Sequence, residues 1–213
     1  GSIRSTTLNQ VVSNKICYFI DEETGLMVFY GNGEPEAYDN DWNECPSDKY
    51  SWYSSGSQIK HVIFEKGVTK VDQYSFGDDY EYVCINYPNI KNLRIGNSLT
   101  SIGNQAFNGC SSLTKITIGN NVTTIGEYAF YQCSTLTSIT IPENVTSIES
   151  NAFNWCSSLT TVVIKSTNKL TFSDKIFWHC EKLSTIYFYS LIEPIYDTRT
   201  TCYSTGNCGS STS

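Results

Sequence analysis

A repeat of 23 residues, each copy carrying one cysteine, constrains this chain more than any other feature. SLTSIGNQAFNGCSSLTKITIGNN begins at Ser98 and is followed by NVTTIGEYAFYQCSTLTSITIPEN and NVTSIESNAFNWCSSLTTVVIKST, then by a degraded copy, KLTFSDKIFWHCEKLSTIYFYS. The phenylalanines fall at Phe107, Phe130, Phe153 and Phe177, and the cysteines at Cys110, Cys133, Cys156 and Cys180. One such unit cannot bury its apolar face alone. Stacking on its neighbours does so, and a fixed period in this range therefore predicts a solenoid.

Each copy reads as one coil. Leu-x-x-Ile-x-Ile ends with period two, which turns its last two apolar residues inward together on a strand. Val-Thr-x-Ile reads as a second, shorter strand. Ala-Phe-x-x-Cys reads as a tight helical or 3₁₀ turn, with Gly109 or a polar residue easing the corner. The pattern begins before the obvious copies: Ile59, Val62 and Phe64 align with Leu113, Ile116 and Ile118, and Val68 and Val71 with Val122 and Ile125. Phe76 is the matching phenylalanine. An insertion around Gly77–Cys84 follows, before Ile90, Leu93 and Ile95 restore the register.

Three regions result. Residues 1–58 form a tag remnant and an N-terminal capping region, in which 15–31 reads as a β-hairpin around Asp21-Glu-Glu-Thr-Gly25, and Tyr50-Ser-Trp52-Tyr53 packs over the first coil. Residues 59–188 form the solenoid, about five coils plus a closing strand at Leu183, Ile186 and Phe188. Residues 189–213 form a C-terminal cap or tail, rich in Thr, Ser, Gly and Tyr. Gly1-Ser2 reads as an expression scar, so the lack of a secretion signal ahead of it says nothing about compartment.

With a net charge of −7, the chain lacks the dense basic face that a nucleic-acid backbone requires. No run of about 18 apolar residues is present to span a bilayer as a helix. The four cysteines in register read as small buried hydrophobes, because parallel side chains on stacked coils point the wrong way to bond one another. Zinc is the alternative, but no CxxC pair and no histidine at ligand spacing supports it. Cys17, Cys45, Cys84, Cys202 and Cys208 do not obey the repeat. Cys17–Cys45 and Cys202–Cys208 are candidate end staples, and such bonds place a chain outside the reducing cytosol.

The repeat resembles the BspA-like, or Treponema pallidum type, leucine-rich repeat. That pattern runs Cys-x-x-Leu-x-x-Ile-x-Ile-x-x-x-Val-x-x-Ile-x-x-x-Ala-Phe, matched here by Cys110, Leu113, Ile116, Ile118, Val122, Ile125, Ala129 and Phe130. Gly31, Gly33, Trp52, Tyr53 and Ser54 resemble a segment that often precedes such repeats. The resemblance implies a leucine-rich-repeat right-handed coil, rich in β-strand. It also implies a surface or secreted protein of the kind used in adhesion, and it carries no catalytic or ligand residues with it.

The outward positions of the long strands are the expected binding face, since a solenoid presents them as one extended surface. One column is His61, Asn92, Lys115, Ser138, Thr161 and Thr185. The other is Ile63, Arg94, Thr117, Thr140, Val163 and Tyr187. Of these, His61, Ile63, Asn92, Arg94, Lys115, Thr117, Thr140, Val163 and Tyr187 are the candidate binding residues, although threonine also simply suits an exposed strand. Asp39, Asp41 and Asn43 resemble the start of a calcium loop, but Glu44 stands where glycine is needed and Tyr50 where a bidentate glutamate should be. Asp78, Asp79 and Glu81 form a second acidic cluster, read as solvated. No G-x-S-x-G, H-E-x-x-H or P-loop occurs, and His179 and Cys180, as adjacent residues, face different ways. Asn121 and Asn144 begin glycosylation sequons that the repeat itself generates.

These readings combine into a non-enzymatic extracellular or cell-surface binding module with no cofactor. Its expected partner is a protein or glycan of a host or neighbouring cell. The alternative is a structural or intracellular interaction scaffold, in which all nine cysteines are reduced.

Overall fold

The computed structural model describes residues 16–21, 23–31, 56–65, 67–71, 89–166, 170–189 and 195–196. The chain opens with a hairpin of β1 (Ile16–Asp21) and β2 (Leu26–Gly31), antiparallel and in register from Ile16↔Gly31 to Asp21↔Leu26. Its turn is held at Asp21. The Thr24 hydroxyl and the Glu23 N–H donate to the carboxylate, and Gly25 takes the left-handed backbone (φ 71°) that closes the loop. The hairpin does not stand apart from the repeats. β2 pairs in parallel with β3 (His61–Phe64), so Met27 and Phe29 enter the same core as Val62 and Phe64.

From β3 onward, long and short strands alternate. The long strands are β3, β5 (Asn92–Ile95), β7 (Lys115–Thr117), β9 (Ser138–Ile141), β11 (Thr161–Ile164) and β13 (Thr185–Phe188). The short ones are β4 (Lys70–Val71), β6 (Ser101–Ile102), β8 (Thr124–Ile125), β10 (Ser147–Ile148), β12 (Thr171–Phe172) and β14 (Ile195–Tyr196). All pairings between coils are parallel, because every coil returns the chain in the same direction. The short strands form one unbroken six-stranded sheet, whereas the long strands form two, β1-β2-β3-β5-β7 and β9-β11-β13. The short-strand sheet continues to β14, inside the segment the sequence assigns to a cap or tail.

The core is the repeat read edge-on. Leu113, Leu136 and Leu159, Val122 and Val145, Ile125 and Ile148, and Ala129 and Ala152 are fully buried. Phe107, Phe130, Phe153 and Phe177 stack in a ladder, with ring centroids 5.5, 5.3 and 5.7 Å apart. The ladder begins at Phe29 and Phe64, stacked at 4.8 Å, and Phe64 meets Phe107 edge-on. At the far end burial weakens. Phe188 occupies the position matching Ile164, yet it is 43 % exposed, and among the described residues β13 pairs with β11 alone.

The corner differs from the expected helical or 3₁₀ turn. Among the described residues the one 3₁₀ turn is Gly56–Gln58; the corners are runs of hydrogen-bonded turns. Left-handed residues interrupt each of them: Gln105 and Gly109 in one coil, Tyr128 and Gln132 in the next, then Asn151 and Trp155, then Lys175 and His179. Alternate N–H groups of the corner, those of the left-handed residues included, donate to the following coil, with Gln105 to Glu127, Phe107 to Ala129 and Gly109 to Tyr131 at 2.6–2.9 Å. A helix cannot form where alternate donors are aimed at a neighbour. These bonds between coils offset the cost of φ > 0 at side chains as large as Trp155.

The cysteine column also departs from expectation at its first member. Cys133, Cys156 and Cys180 are buried free thiols, each donating to the phenylalanine carbonyl of the coil before: Phe107 at 3.5 Å, Phe130 at 3.3 Å and Phe153 at 3.1 Å. Directed that way, they cannot bond one another. Cys110, by contrast, is disulfide-bonded rather than a simple buried hydrophobe. The Cys17 side chain and Cys45, Cys84, Cys202 and Cys208 lie outside the described residues, as do Asp39, Asp41 and Asn43, Asp78, Asp79 and Glu81, and Trp52 and Tyr53.

Candidate binding face

The nine candidate residues sit on the long strands in the register the repeat implies. His61 is opposite Asn92 and Asn92 opposite Lys115; Ile63 is opposite Arg94 and Arg94 opposite Thr117. On the second sheet, Thr140 and Tyr187 flank Val163. The face is therefore two stretches, and the ladder between them is interrupted at β7 and β9.

Their chemistry differs. The first stretch carries Arg94 and Lys115, both exposed, and Lys60 and Lys91 stand exposed at the entries to β3 and β5. Asn92 Nδ2 donates to His61 Nδ1 at 2.9 Å, a bond that places the proton of a neutral imidazole on Nε2. Ile63, two residues on from His61 and opposite Arg94, is half-buried. No outward position of β2, β3, β5 or β7 holds a carboxylate, although the chain as a whole carries −7. The second stretch is hydroxyl-lined, with Thr140 exposed, Val163 half-buried, and Tyr187 exposed at the end.

Much of the hydroxyl and amide content flanking these strands serves the stacking. Thr114, Thr160 and Ser184, each just ahead of a long strand, donate to the carbonyl of the coil before at 3.0–3.3 Å. Thr100, Thr123 and Thr146 do the same for the short strands at 3.0–3.2 Å. Asn121 Nδ2 donates to the Asn97 carbonyl at 2.7 Å and Asn144 Nδ2 to that of Asn120 at 2.8 Å. The nitrogen that a glycan would occupy on either sequon is thus engaged between coils.

A second exposed feature was not read from the sequence. Trp155, 42 % exposed, stacks on His179 with centroids 4.1 Å apart, and Trp178, 38 % exposed, lies 4.4 Å from the same ring. Lys175 Nζ sits 5.0 Å over the Trp178 ring. The signal was the residue just before each cysteine: Gly109, Gln132, Trp155, His179. Side chains there project outward from the corner while the cysteine turns in. This separates His179 from the Cys180 thiol, which is held on the Phe153 carbonyl.

Burial pushes the thiols of Cys133 and Cys156 well above the ordinary range, which keeps them protonated and poorly nucleophilic. Among the described residues no group of three or more His, Cys, Asp or Glu side chains could hold a metal ion, and no helix is long and apolar enough to cross a membrane.

A family model of the BspA type leucine rich repeat region matches residues 80–204 in six copies, more than half of the chain. The chain belongs to the BspA-type leucine-rich repeat family. Among solved structures, this BspA-type protein is similar to a leucine rich cell surface protein from Faecalibacterium prausnitzii, at 21 % identity and a TM-score of 0.52, over 84 % of this chain and 39 % of the other. It is also similar to the leucine rich repeat protein of T. pallidum, at 16 % identity and a TM-score of 0.50, over 89 % of this chain and 87 % of that one. At these identities the likeness shows the fold alone. No curated protein matches the sequence.

Proposed function

We propose that this BspA-type repeat protein is a non-catalytic recognition module of the cell surface or extracellular space. It engages an acidic stretch of a partner protein through the outward face of β3, β5 and β7. The observation carrying this reading is the charge asymmetry: the face holds Arg94 and Lys115, with Lys60 and Lys91 at its edge, in a chain whose net charge is −7. Such a local reversal of sign steers an anionic partner to one face and orients it. The disulfide at Cys110 supports an oxidising location, where such bonds persist. The Faecalibacterium protein is described as a cell surface protein, which supports the same compartment.

The experiment is a pull-down against extracellular matrix proteins and against anionic glycans, repeated with Arg94→Glu/Lys115→Glu. The expected result is retention of a protein partner at low salt, weakened at 0.5 M salt by screening and lost in the double variant. Retention by glycans alone would replace the protein partner with a polyanionic sugar. Unchanged protein binding in the double variant would move the site off this face, and the Trp155–His179–Trp178 corner is where Trp155→Ala and Trp178→Ala would then be tried.

A further inference from the structure

The residues just ahead of the repeat cysteines, Gly109, Gln132, Trp155 and His179, form a column along the corner. Bonds between coils fix its order: the Gln132 N–H donates to the Asn154 carbonyl at 2.9 Å and the Trp155 N–H to the Trp178 carbonyl at 2.8 Å. We propose that the step in this column, where the indole of Trp155 stands above Gln132 and Gly109, binds a neutral sugar ring.

The step has an open aromatic wall. His179, one coil on, stacks on one face of Trp155 with centroids 4.1 Å apart and ring planes 26° from parallel. The opposite face is therefore turned toward the preceding coil, and among the described residues no second ring pairs with it. Gln132 occupies the column in that coil and is half-buried; one coil earlier stands Gly109, which has no side chain. The column thus falls from indole to amide to bare backbone over two coils, about 10 Å at the usual strand spacing. Its wall is backed from behind. Trp178 lies 4.4 Å from the same His179 ring, and Lys175 Nζ sits 5.0 Å over Trp178.

The polar groups at the step select the ligand. An indole face accepts the C–H groups that line one side of a pyranose, whose hydroxyls then point outward from the rim. Among the described residues neither the Gln132 amide nor the Trp155 indole N–H has a hydrogen-bond partner, so both can serve such hydroxyls. A wholly apolar partner would cover them and leave them unpaired, which is costly. Charged ligands are poorly matched as well. The corners at 103–110 and 126–133 carry one charge, Glu127, five residues from Gln132, and Lys175 is already placed over Trp178. An apolar face with an uncharged polar rim is the chemistry of a neutral sugar. The step lies on the corner, away from the cationic strands β3, β5 and β7, so it does not rest on their binding an acidic partner.

The probes are neutral oligosaccharides of glucose, galactose, mannose and N-acetylglucosamine, titrated into the full chain while the indole N–H signals of its four tryptophans are followed by NMR. At least one sugar should shift the Trp155 signal, which is assigned by its loss in Trp155→Phe. The expected Kd is on the order of 1 mM for a single ring, the ordinary yield of about a dozen non-hydrogen atoms. Trp155→Gln and Gln132→Gly each install the residue of the coil before, which already holds the same left-handed backbone, so both should fold, as a urea midpoint checks. The first should abolish binding, and the second should weaken it about tenfold through the lost amide. Arg94→Glu/Lys115→Glu should bind the sugar as the parent chain does. The site is overturned if no sugar shifts the Trp155 signal, or if folded Trp155→Gln binds as tightly as the parent. A stronger response to N-acetyltryptophanamide than to every sugar overturns the ligand class, and loss of sugar binding in Arg94→Glu/Lys115→Glu overturns the location.

Discussion

Phe130 lies face to face on Phe153, with centroids 5.3 Å apart and ring planes 12° from parallel. Both rings are wholly buried, so each fills the gap between its neighbours on the ladder. Phe130→Ala should cost about 3–5 kcal/mol, the usual range for an excised core aromatic. Phe177→Ala, at the half-buried end of the ladder, should cost clearly less. Urea denaturation of the two variants checks this, and equal losses would contradict a stack that weakens toward β13.

The buried thiols make stability depend on alkaline pH. Cys133 and Cys156 have thiols raised by burial above the ordinary value of 9.0, so above pH 9 the unfolded chain loses protons that the folded chain keeps. Stability is therefore fully present below that value and falls above it, by about 1.4 kcal/mol per pH unit per thiol. Urea midpoints measured from pH 8 to pH 10.5 should show the decline, with a shallower slope in Cys133→Ala. Under native conditions at pH 7.5 neither thiol should react with a thiol reagent, and in denaturant both should.

Gly119 marks a place where coils nearly touch. A Cβ there would collide with the backbone carbonyl of Gly96 in the coil before, so the obstacle is main chain that cannot swing aside. Gly119→Ala should destabilise by about 1–3 kcal/mol, as for other overpacked sites. Gly96, the matching place one coil earlier, would meet the Phe64 carbonyl in the same way, whereas Pro142 holds the place one coil on. Thermal melting of Gly119→Ala beside a surface control, Thr117→Ala, tests the difference.

Charge reversal at the proposed face should leave the fold intact. Arg94 and Lys115 are exposed, so Arg94→Glu/Lys115→Glu should move stability by no more than about 0.5 kcal/mol per site. A larger loss, read from the urea midpoint, would mean that these cations support the stack instead of a partner.

The regular coils were legible because their apolar positions answer to one constraint, burial, which repeats with the chain. Leu136, Val145, Ile148, Ala152 and Phe153 could be placed in the core by counting. The outward order of His61, Asn92 and Lys115 followed from the same count. The corner was not legible. Its left-handed residues include Gly109, Gln132, Trp155 and His179, which share no side-chain chemistry, and the bonds that hold them belong to the next coil. The stacked Trp155 and His179 were missed for that reason, since the two are 24 residues apart and meet only when coils stack.

By itself the sequence determined the coil, its period, its parallel stacking and which face of each strand is wet, because a 23-residue unit with those apolar positions has one way to bury them. The tertiary structure decided what happens where coils meet other coils. It recruited β2 into the long-strand sheet, split that sheet between β7 and β9, and extended the short-strand sheet to β14. It also turned three thiols onto phenylalanine carbonyls while leaving Cys110 in a disulfide. Those outcomes depend on distances between residues far apart in the chain, which a local pattern does not encode.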